Sequence, residues 1–380
     1  MENLFEIAAF SGLACSLAYT VFAIARVAGF GRRRAEPAVL PPVTIAKPLC
    51  GLEPSLYENL RCFCEQDYPE YEVIFAVRDP DDPAAGVVRQ LLADCPNVAA
   101  SLVVEPRAFG TNLKVSNLIA IARQARYDLF VIADSDMRVG PDYLRAVVAP
   151  FADARVGAVT CPYVGRSLGG VPSKLGAMFI NESFLPSVLV SLALEPLSFC
   201  FGATMAIRRG VLDSIGGFEA LADYLADDYM LGNLVRRKGL HVELVPYVVE
   251  TTVAESTLGD LFQHELRWAR TIRNVRPAGY TLSLLTMTAP WAVAALLLSR
   301  FSAAGWSAFA AALLLRLALH VAVRIRFHRK DSASVAWIPL RDALSFFVYC
   351  ASHLGRRVLW KETRFAVSAD GQLHHEGAPT

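Results

Sequence analysis

Residues 7–24 carry no charged side chain, and an apolar run of that length is about what a helix needs to cross the hydrocarbon core of a bilayer. A chain with this feature is committed to a membrane before its globular part is considered. The residues ahead of the run, Met1-Glu2-Asn3-Leu4-Phe5-Glu6, are acidic where a cleaved signal peptide would be basic, and Arg32-Arg33-Arg34 come directly after it. The run therefore reads as an anchor over residues 5–30, with the next part of the chain on the cytosolic side.

A further uncharged stretch lies at 280–298, and another apolar one runs from 301 towards 323 with Arg316 and His320 near its end. They predict a transmembrane helical hairpin over residues 279–325. Arg324, Arg326, Arg329 and Lys330 come next and return the chain to the cytosolic side. The last apolar stretch, 335–354, contains Pro339, Arg341 and Asp342 and precedes Arg356, Arg357, Lys361 and Arg364. A full crossing would put that basic tail, 356–380, outside; an interfacial or re-entrant helix over 335–355 avoids the conflict.

The 380 residues, 54% of them hydrophobic, leave room for one soluble domain beside these segments. With 37 basic against 36 acidic residues there is no overall field to attract nucleic acid. The 8 cysteines show no C-x-x-C pair, which speaks against a zinc site or a disulfide framework and fits a reducing compartment.

The soluble domain is expected over residues 38–275, where long apolar runs give way to short ones. Residues 43–46, 71–77, 101–104 and 129–133 read as buried strands, separated by helical stretches at 54–66, 83–94 and 113–126. The alternation predicts an α/β fold with a mostly parallel sheet, whose ligand site lies beyond the carboxyl ends of the strands. No Gly-x-Gly-x-x-Gly or Walker loop is present, so hydride and phosphoryl transfer lose their usual support.

At those strand ends stand acids. Asp134-Ser135-Asp136 places two carboxylates where they can share a hard divalent cation, which in turn would neutralise the diphosphate of a nucleotide-sugar; a turn of acidic residues is the plainer explanation of the pattern alone. Asp79-Pro80-Asp81-Asp82-Pro83 reads as a turn with Asp82 capping a helix and Asp79 free to reach a donor's uridine or ribose. Lys114, in Gly110-Thr111-Asn112-Leu113-Lys114-Val115-Ser116-Asn117, is a candidate for the donor phosphate or a site carboxylate.

Asp228, in Asp227-Asp228-Tyr229 after an expected helix at 218–226, is the candidate general base for a sugar transfer to a hydroxyl; a surface acidic pair is the alternative. In His264-Glu265-Leu266-Arg267-Trp268, Arg267 is suited to a leaving diphosphate and Trp268 to packing a ring. Arg273 and Arg276 read as a juxtamembrane basic belt.

Taken in order, Lys47-Pro48-Leu49 with Gly51, Asp67-Tyr68-Pro69, the Asp79 and Gly110 segments, Asp134-Ser135-Asp136, Asp227-Asp228-Tyr229 and Arg267-Trp268 resemble the ceramide glucosyltransferase family, and bacterial hopanoid-associated glycosyltransferases are closely similar. The resemblance covers nearly the whole chain. It implies a GT-A fold and an inverting, metal-dependent (Mg²⁺ or Mn²⁺) transfer from a UDP-sugar with a β-linked product. It also implies Asp79 and Asp134 at the family's first two aspartate positions, Asp136 completing the metal motif, and Asp228 as base. His264 stands where the family's (Gln/Arg)-x-x-Arg-Trp signature begins, a departure that places a titratable ring on the donor side.

The expectation is therefore an integral protein of a bacterial inner membrane with a cytosolic catalytic domain, transferring glucose to ceramide or, as the alternative, N-acetylglucosamine to a hopanoid polyol. The apolar segment 165–201, broken by Pro172, Pro186 and Pro196, either lies on the membrane and guides the lipid or forms a buried wall. Gly202-Ala203-Thr204-Met205 is placed beside the donor sugar. A membrane protein that binds a nucleotide-sugar without turnover is the rival from another class, and a transporter is disfavoured by the absence of an inverted repeat.

Overall fold

The computed structural model describes residues 2–31, 37, 39–327 and 335–355, with the backbone of three short strands beyond them. The basic residues Arg32-Arg33-Arg34, Arg329, Lys330, Arg356 and Lys361 lie outside the described residues.

In chain order come α1 (Glu2–Gly29), β1 (Val43–Pro48), α2 (Leu56–Cys64), β2 (Tyr71–Val77), α3 (Pro83–Asp94), β3 (Ala100–Val104), α4 (Leu113–Gln124) and β4 (Leu129–Ile132). The middle holds β5 (Met137–Arg138), α5 (Tyr143–Val148), β6 (Val156–Thr160), β7 (Tyr163–Ser167), α6 (Val171–Phe179), α7 (Leu185–Leu194), β8 (Met205–Arg208), α8 (Arg209–Ser214), α9 (Asp227–Arg237), β9 (His241–Leu244) and β10 (Val249–Val253). The last part comprises α10 (Leu258–Val275), α11 (Pro277–Leu282), α12 (Thr288–Leu298), α13 (Ala303–Arg326), α14 (Ile338–Ser352) and strands β11 (Arg357–Trp360), β12 (Thr363–Val367) and β13 (Leu373–His375).

The chain divides into two compact units, one of residues 31–164, 195–252 and 372–380 and the other of 1–30, 165–194 and 253–371. The stretch 38–275 is thus shared between them rather than confined to one.

The first unit is built on a seven-stranded sheet in the order β3-β2-β1-β4-β8-β6-β9. β1 runs parallel to both neighbours, with Val43 opposite Tyr71 of β2 and Leu129 of β4. β3 is parallel to β2 and β9 to β6, while β8 is antiparallel to β4 and β6. Every residue of β1, β4 and β6 is buried, as strands covered on both faces require. From β1 the chain builds outward to β2 and β3 and then crosses to β4 on the other side, so the order reverses between β1 and β4. Such a switch opens a crevice at the carboxyl ends of the strands. Helix starts fix the loops around it: Asp82 accepts from the Ala84 amide ahead of Pro83, and Asn112 accepts from the Val115 amide.

The expected helix at 218–226 is not formed. Phe218–Leu221 is a single 3-10 turn, entered through Gly216 and Gly217 at φ 99° and 72°. The helix begins instead at Asp227, so Asp227 and Asp228 occupy its first turn. The left-handed glycine pair ends the preceding α8.

In the second unit α1 packs on α12 and α13 through small side chains: Ala9, Leu13, Ala292, Ala295 and Ala312 form one buried cluster. The outward faces carry Leu4, Phe5, Val293, Leu297, Leu313, Leu314 and Val321 exposed, an apolar surface that water would not tolerate over such an extent. Among the described residues, three helices are long and apolar enough to cross a membrane: Leu4–Gly29, Val171–Leu194 and Ala303–Arg326. The stretch expected as a span at 280–298 is bent by 56° between Pro277–Thr286 and Thr288–Leu298. Pro290 explains the break at Met287: it lacks an amide hydrogen and suits only the first turn of the helix it opens.

Candidate active site

The acids expected to carry chemistry gather in the first unit at the carboxyl edge of the sheet. Asp134 and Asp136 come after β4, and Asp79 after β2, two strands away, or roughly 10 Å at ordinary strand spacing. Asp79 is exposed and closes its own turn, its Oδ1 accepting from the Asp81 amide at 2.9 Å. Asp82 receives the Gly51 amide at 3.0 Å on both oxygens, which ties the loop after β1 to the start of α3.

Lys114 is the hub. Its Nζ lies 2.8 Å from Asp134 Oδ1 and 3.1 Å from Asp227 Oδ2. Lys114 is the one partner recorded for that buried Asp227 oxygen among the described residues. Burial disfavours the charge on Lys114, yet Asp134, Asp227 and Asp228 together raise its pKa above the ordinary lysine value. The chain reaches this arrangement by a local stitch. The Asn112 amide donates to the Ala222 carbonyl at 2.8 Å, Asn112 Nδ2 to the Tyr224 carbonyl at 2.7 Å, and Thr111 to Asp223. Gly110 permits the approach, since a Cβ there would stand 2.5 Å from the Ala222 oxygen. The segments bearing Lys114 and Asp227-Asp228 are thereby fastened together.

Asp228 is oriented by two backbone amides. Tyr229 N–H donates to its Oδ1 at 2.7 Å and Gly202 N–H to its Oδ2 at 2.9 Å. Burial and then the charge of Asp227 push its pKa up to about 6, against Lys114 and the Tyr229 amide. That value suits a group that must accept a proton near neutral pH. Asp136 is held by the Thr251 hydroxyl at 2.6 Å on Oδ2. Burial, then Asp134 and Glu53, push its pKa up to about 7. Such a crowd of acids calls for a positive charge beyond the lysines present.

Several contributors escaped sequence reasoning. Lys47, fully buried at the end of β1, donates to the Asp134 carbonyl at 2.6 Å and rests on the Phe63 ring at 3.9 Å. Burial lowers its pKa to about 8, with nearby Cys62, Asp134, Asp136 and Glu53 opposing. Glu53 accepts from the Ser135 hydroxyl at 2.7 Å and so fixes the residue between the two aspartates. The one legible signal was Lys47 itself, a charge inside an otherwise apolar strand; the Glu53 and Thr251 contacts are remote in sequence and left no pattern.

The donor set fits a hard divalent cation. Asp134 and Asp136 offer only oxygen, and Gly202 keeps space beside them: a Cβ there would stand 2.7 Å from Asp134 Oδ2. Among the described residues no three His, Cys, Asp or Glu side chains converge as a metal site. Two carboxylates suit an ion that completes its shell with water and substrate phosphate rather than with an all-protein cage.

The remaining expected residues lie in the second unit, on the amphipathic helix α10, capped by Thr257 accepting from the Asp260 amide. His264 Nδ1 meets Glu255 Oε1 at 2.5 Å, and the bond holds Glu255 below the usual carboxylate range although burial acts the other way. One turn on, Trp268 takes the His264 ring edge-on at 4.5 Å and lies 6.3 Å from Phe179. Arg267 and Trp268 are both half-buried. The structure thus assembles Lys114, Asp134, Asp136 and Asp228 in one unit, and His264, Arg267 and Trp268 on one helix of the other.

The sequence model of Glycosyl transferase family 21 matches residues 8–373. Ceramide glucosyltransferase 1 of Caenorhabditis elegans is 29% identical over 272 residues, 70% of this chain and 58% of the relative. An N-acetylglucosaminyltransferase of Rhizobium meliloti is 25% identical over 243 residues, 62% of this chain and 56% of the relative. The chain spans a little over half the length of these relatives. Among solved structures, a mannosyltransferase, PcManGT from Pyrobaculum calidifontis in complex with GDP-Man and Mn²⁺, superposes with a TM-score of 0.57 at 22% identity over 93% of this chain and 99% of that one. A likeness at that identity establishes the fold, an α/β GT-A arrangement.

Proposed function

Because the chain belongs to glycosyl transferase family 21, we propose that it transfers a sugar from a UDP-sugar to the hydroxyl of a membrane lipid, with inversion at the anomeric carbon. One observation carries the reading: a half-buried aspartate held by two backbone amides shares a lysine-centred cluster with an Asp-x-Asp pair at the switch point of the sheet.

In this reading Asp79 contacts the uridine or ribose. Asp134 and Asp136 would hold Mg²⁺ or Mn²⁺, which when bound neutralises the donor diphosphate. Lys114 balances Asp134 and Asp227 and adds charge on the phosphate side. Asp228 takes the proton of the acceptor hydroxyl as its oxygen bonds to the anomeric carbon, and the bond from that carbon to UDP breaks on the opposite face. The two amides that hold Asp228 leave its carboxylate with one competent direction before substrate arrives, which removes a reorganisation cost from the step. His264, Arg267 and Trp268 are assigned to the leaving diphosphate and the acceptor ring or head. Glucose to ceramide is the first assignment, resting on the Caenorhabditis elegans relative; N-acetylglucosamine to a hopanoid polyol is the second, favoured by the bacterial relative.

In this reading α1, the bent α11–α12 pair and α13 are the crossing segments in a bacterial inner membrane, with the catalytic unit on the cytosolic side.

The test is product analysis by mass spectrometry after incubating the purified full chain with Mg²⁺ or Mn²⁺, UDP-glucose or UDP-N-acetylglucosamine, and ceramide or a hopanoid polyol. Hexosylceramide that falls by about 10²–10⁴-fold in Asp228→Asn supports the first assignment. N-acetylhexosaminyl hopanoid supports the second, and no glycolipid from folded protein overturns both.

A further inference from the structure

Within the second unit, four ionisable side chains from three separate segments meet inside apolar helices. Glu182 sits in the π-helical turn Ile180–Phe184 that joins α6 to α7. Its Oε2 accepts from Arg316 Nη1 at 2.8 Å and its Oε1 faces His320 Nδ1 at 2.7 Å. Arg316 Nε donates to Asp342 Oδ1 of α14 at 3.1 Å. Glu182, His320 and Arg316 are all buried. Polar groups placed this way in membrane helices face the interior and mark the path of a polar ligand, and π-turns concentrate at functional sites.

The cluster is not closed. Among the described residues, Arg316 Nη2 and His320 Nε2 are buried without a hydrogen-bond partner. Because His320 Nδ1 faces a carboxylate, Nδ1 carries the proton of the neutral ring, and in that ring Nε2 is an acceptor. Arg316 Nη2 is a donor. Arg316 and His320 stand one helical turn apart on the same face of α13. An unmet donor beside an unmet acceptor is the complement of a hydroxyl, which accepts one hydrogen bond and donates another. Position favours a lipid as its owner. At 1.5 Å per residue His320 and Arg316 lie about 9 and 15 Å from the basic end of α13 at Arg326, within a helix long and apolar enough to be surrounded by lipid. The opposite side of α13 exposes Leu313, Leu314 and Val321.

We propose that the Glu182–Arg316–His320–Asp342 cluster binds the head-proximal hydroxyl of a membrane lipid through Arg316 Nη2 and His320 Nε2. Identifying that lipid with the acceptor rests on the transferase reading; the binding itself does not.

The experiment measures thermal unfolding of the purified full chain in detergent, without donor, against increasing ceramide, hopanoid polyol, or a fatty-acid methyl ester of matched chain length that has no hydroxyl. The hydroxyl lipids are expected to raise the midpoint saturably and the ester to leave it unchanged. His320→Asn keeps a donor where Nδ1 stands and deletes only Nε2; it is expected to keep the lipid-free midpoint and to weaken lipid affinity about tenfold. Equal shifts with lipid and ester, or unaltered lipid affinity in His320→Asn, would overturn the proposal and leave the two atoms to bound water. Should His320→Asn lower the lipid-free midpoint, a ceramide with a diazirine beside its amide decides: labelling of α7 or α13 supports the site, and labelling elsewhere alone sinks it. Lipid binding without sugar transfer would defeat the transferase reading and leave this one standing.

Discussion

Asp136 and Asp228 behave as they do because several carboxylates share a buried edge with two lysines. The pKa of Asp136 is pushed up to about 7, whereas an unfolded aspartate titrates near 4. Its proton therefore stabilises the metal-free fold below about pH 4, and that contribution is lost as pH rises through about 7. The thermal midpoint of the metal-free protein is expected to fall over this window relative to Asp136→Asn, which has no such proton to lose. Stabilisation by added Mn²⁺ runs the opposite way, growing with pH because the ion competes with that proton. A midpoint difference between the two proteins that stays flat from pH 4 to 8 would count against the arrangement. Gly202 offers a second check. A Cβ at 2.7 Å from Asp134 Oδ2 must displace that carboxylate, so Gly202→Ala is expected to lower kcat/KM by about 10- to 100-fold while circular dichroism stays unchanged. The carboxylates themselves were legible in the sequence because strand ends are. Their partners Glu53 and Thr251 were not, because each arrives from a different segment of the chain.

At the level of elements, α14 shows how an apolar stretch accommodates charge. Its 15 residues make roughly 22 Å of helix, short of a bilayer core of about 30 Å. Arg341 is wholly buried, with Nη1 and Nη2 donating to Glu265 of α10 at 2.6 and 2.7 Å and Nη1 also to the Leu175 carbonyl at 3.1 Å. Glu265 adjoins His264, so this pair sets the rotation of the helix that presents His264 and Trp268. Removing one partner strands a buried charge, and Glu265→Leu or Arg341→Leu is expected to cost about 3–5 kcal/mol. The double replacement should recover most of it in chemical denaturation; costs that simply add would show the pair is not coupled. Local rules located β1–β4, α3 and α4, whose hydrophobic periods are short and unambiguous. They did not register the 3-10 turn at 218–221 or the bend within 280–298, where a glycine pair and a proline act on backbone geometry that composition does not show.

For the whole molecule, the crossings imply a testable topology. In a chain freed of its 8 cysteines, a cysteine at Ser302, between α12 and α13, should react with an impermeant thiol reagent added outside intact cells. Cysteines at Asp81 and at Glu195 should react only after permeabilisation. Labelling of Glu195→Cys from outside would make Val171–Leu194 a true crossing. The sequence by itself determined the fold class, the attachment to a membrane and the strand ends on which the acids stand, because hydrophobic periodicity and run length are properties of neighbours along the chain. Only the tertiary structure decided that Lys114 joins Asp134 to Asp227, that backbone amides aim Asp228, and that Glu182 meets Arg316 and His320 inside apolar helices. Charges are buried together only when distant segments arrive with opposite sign at the same point, and that coincidence is settled in space.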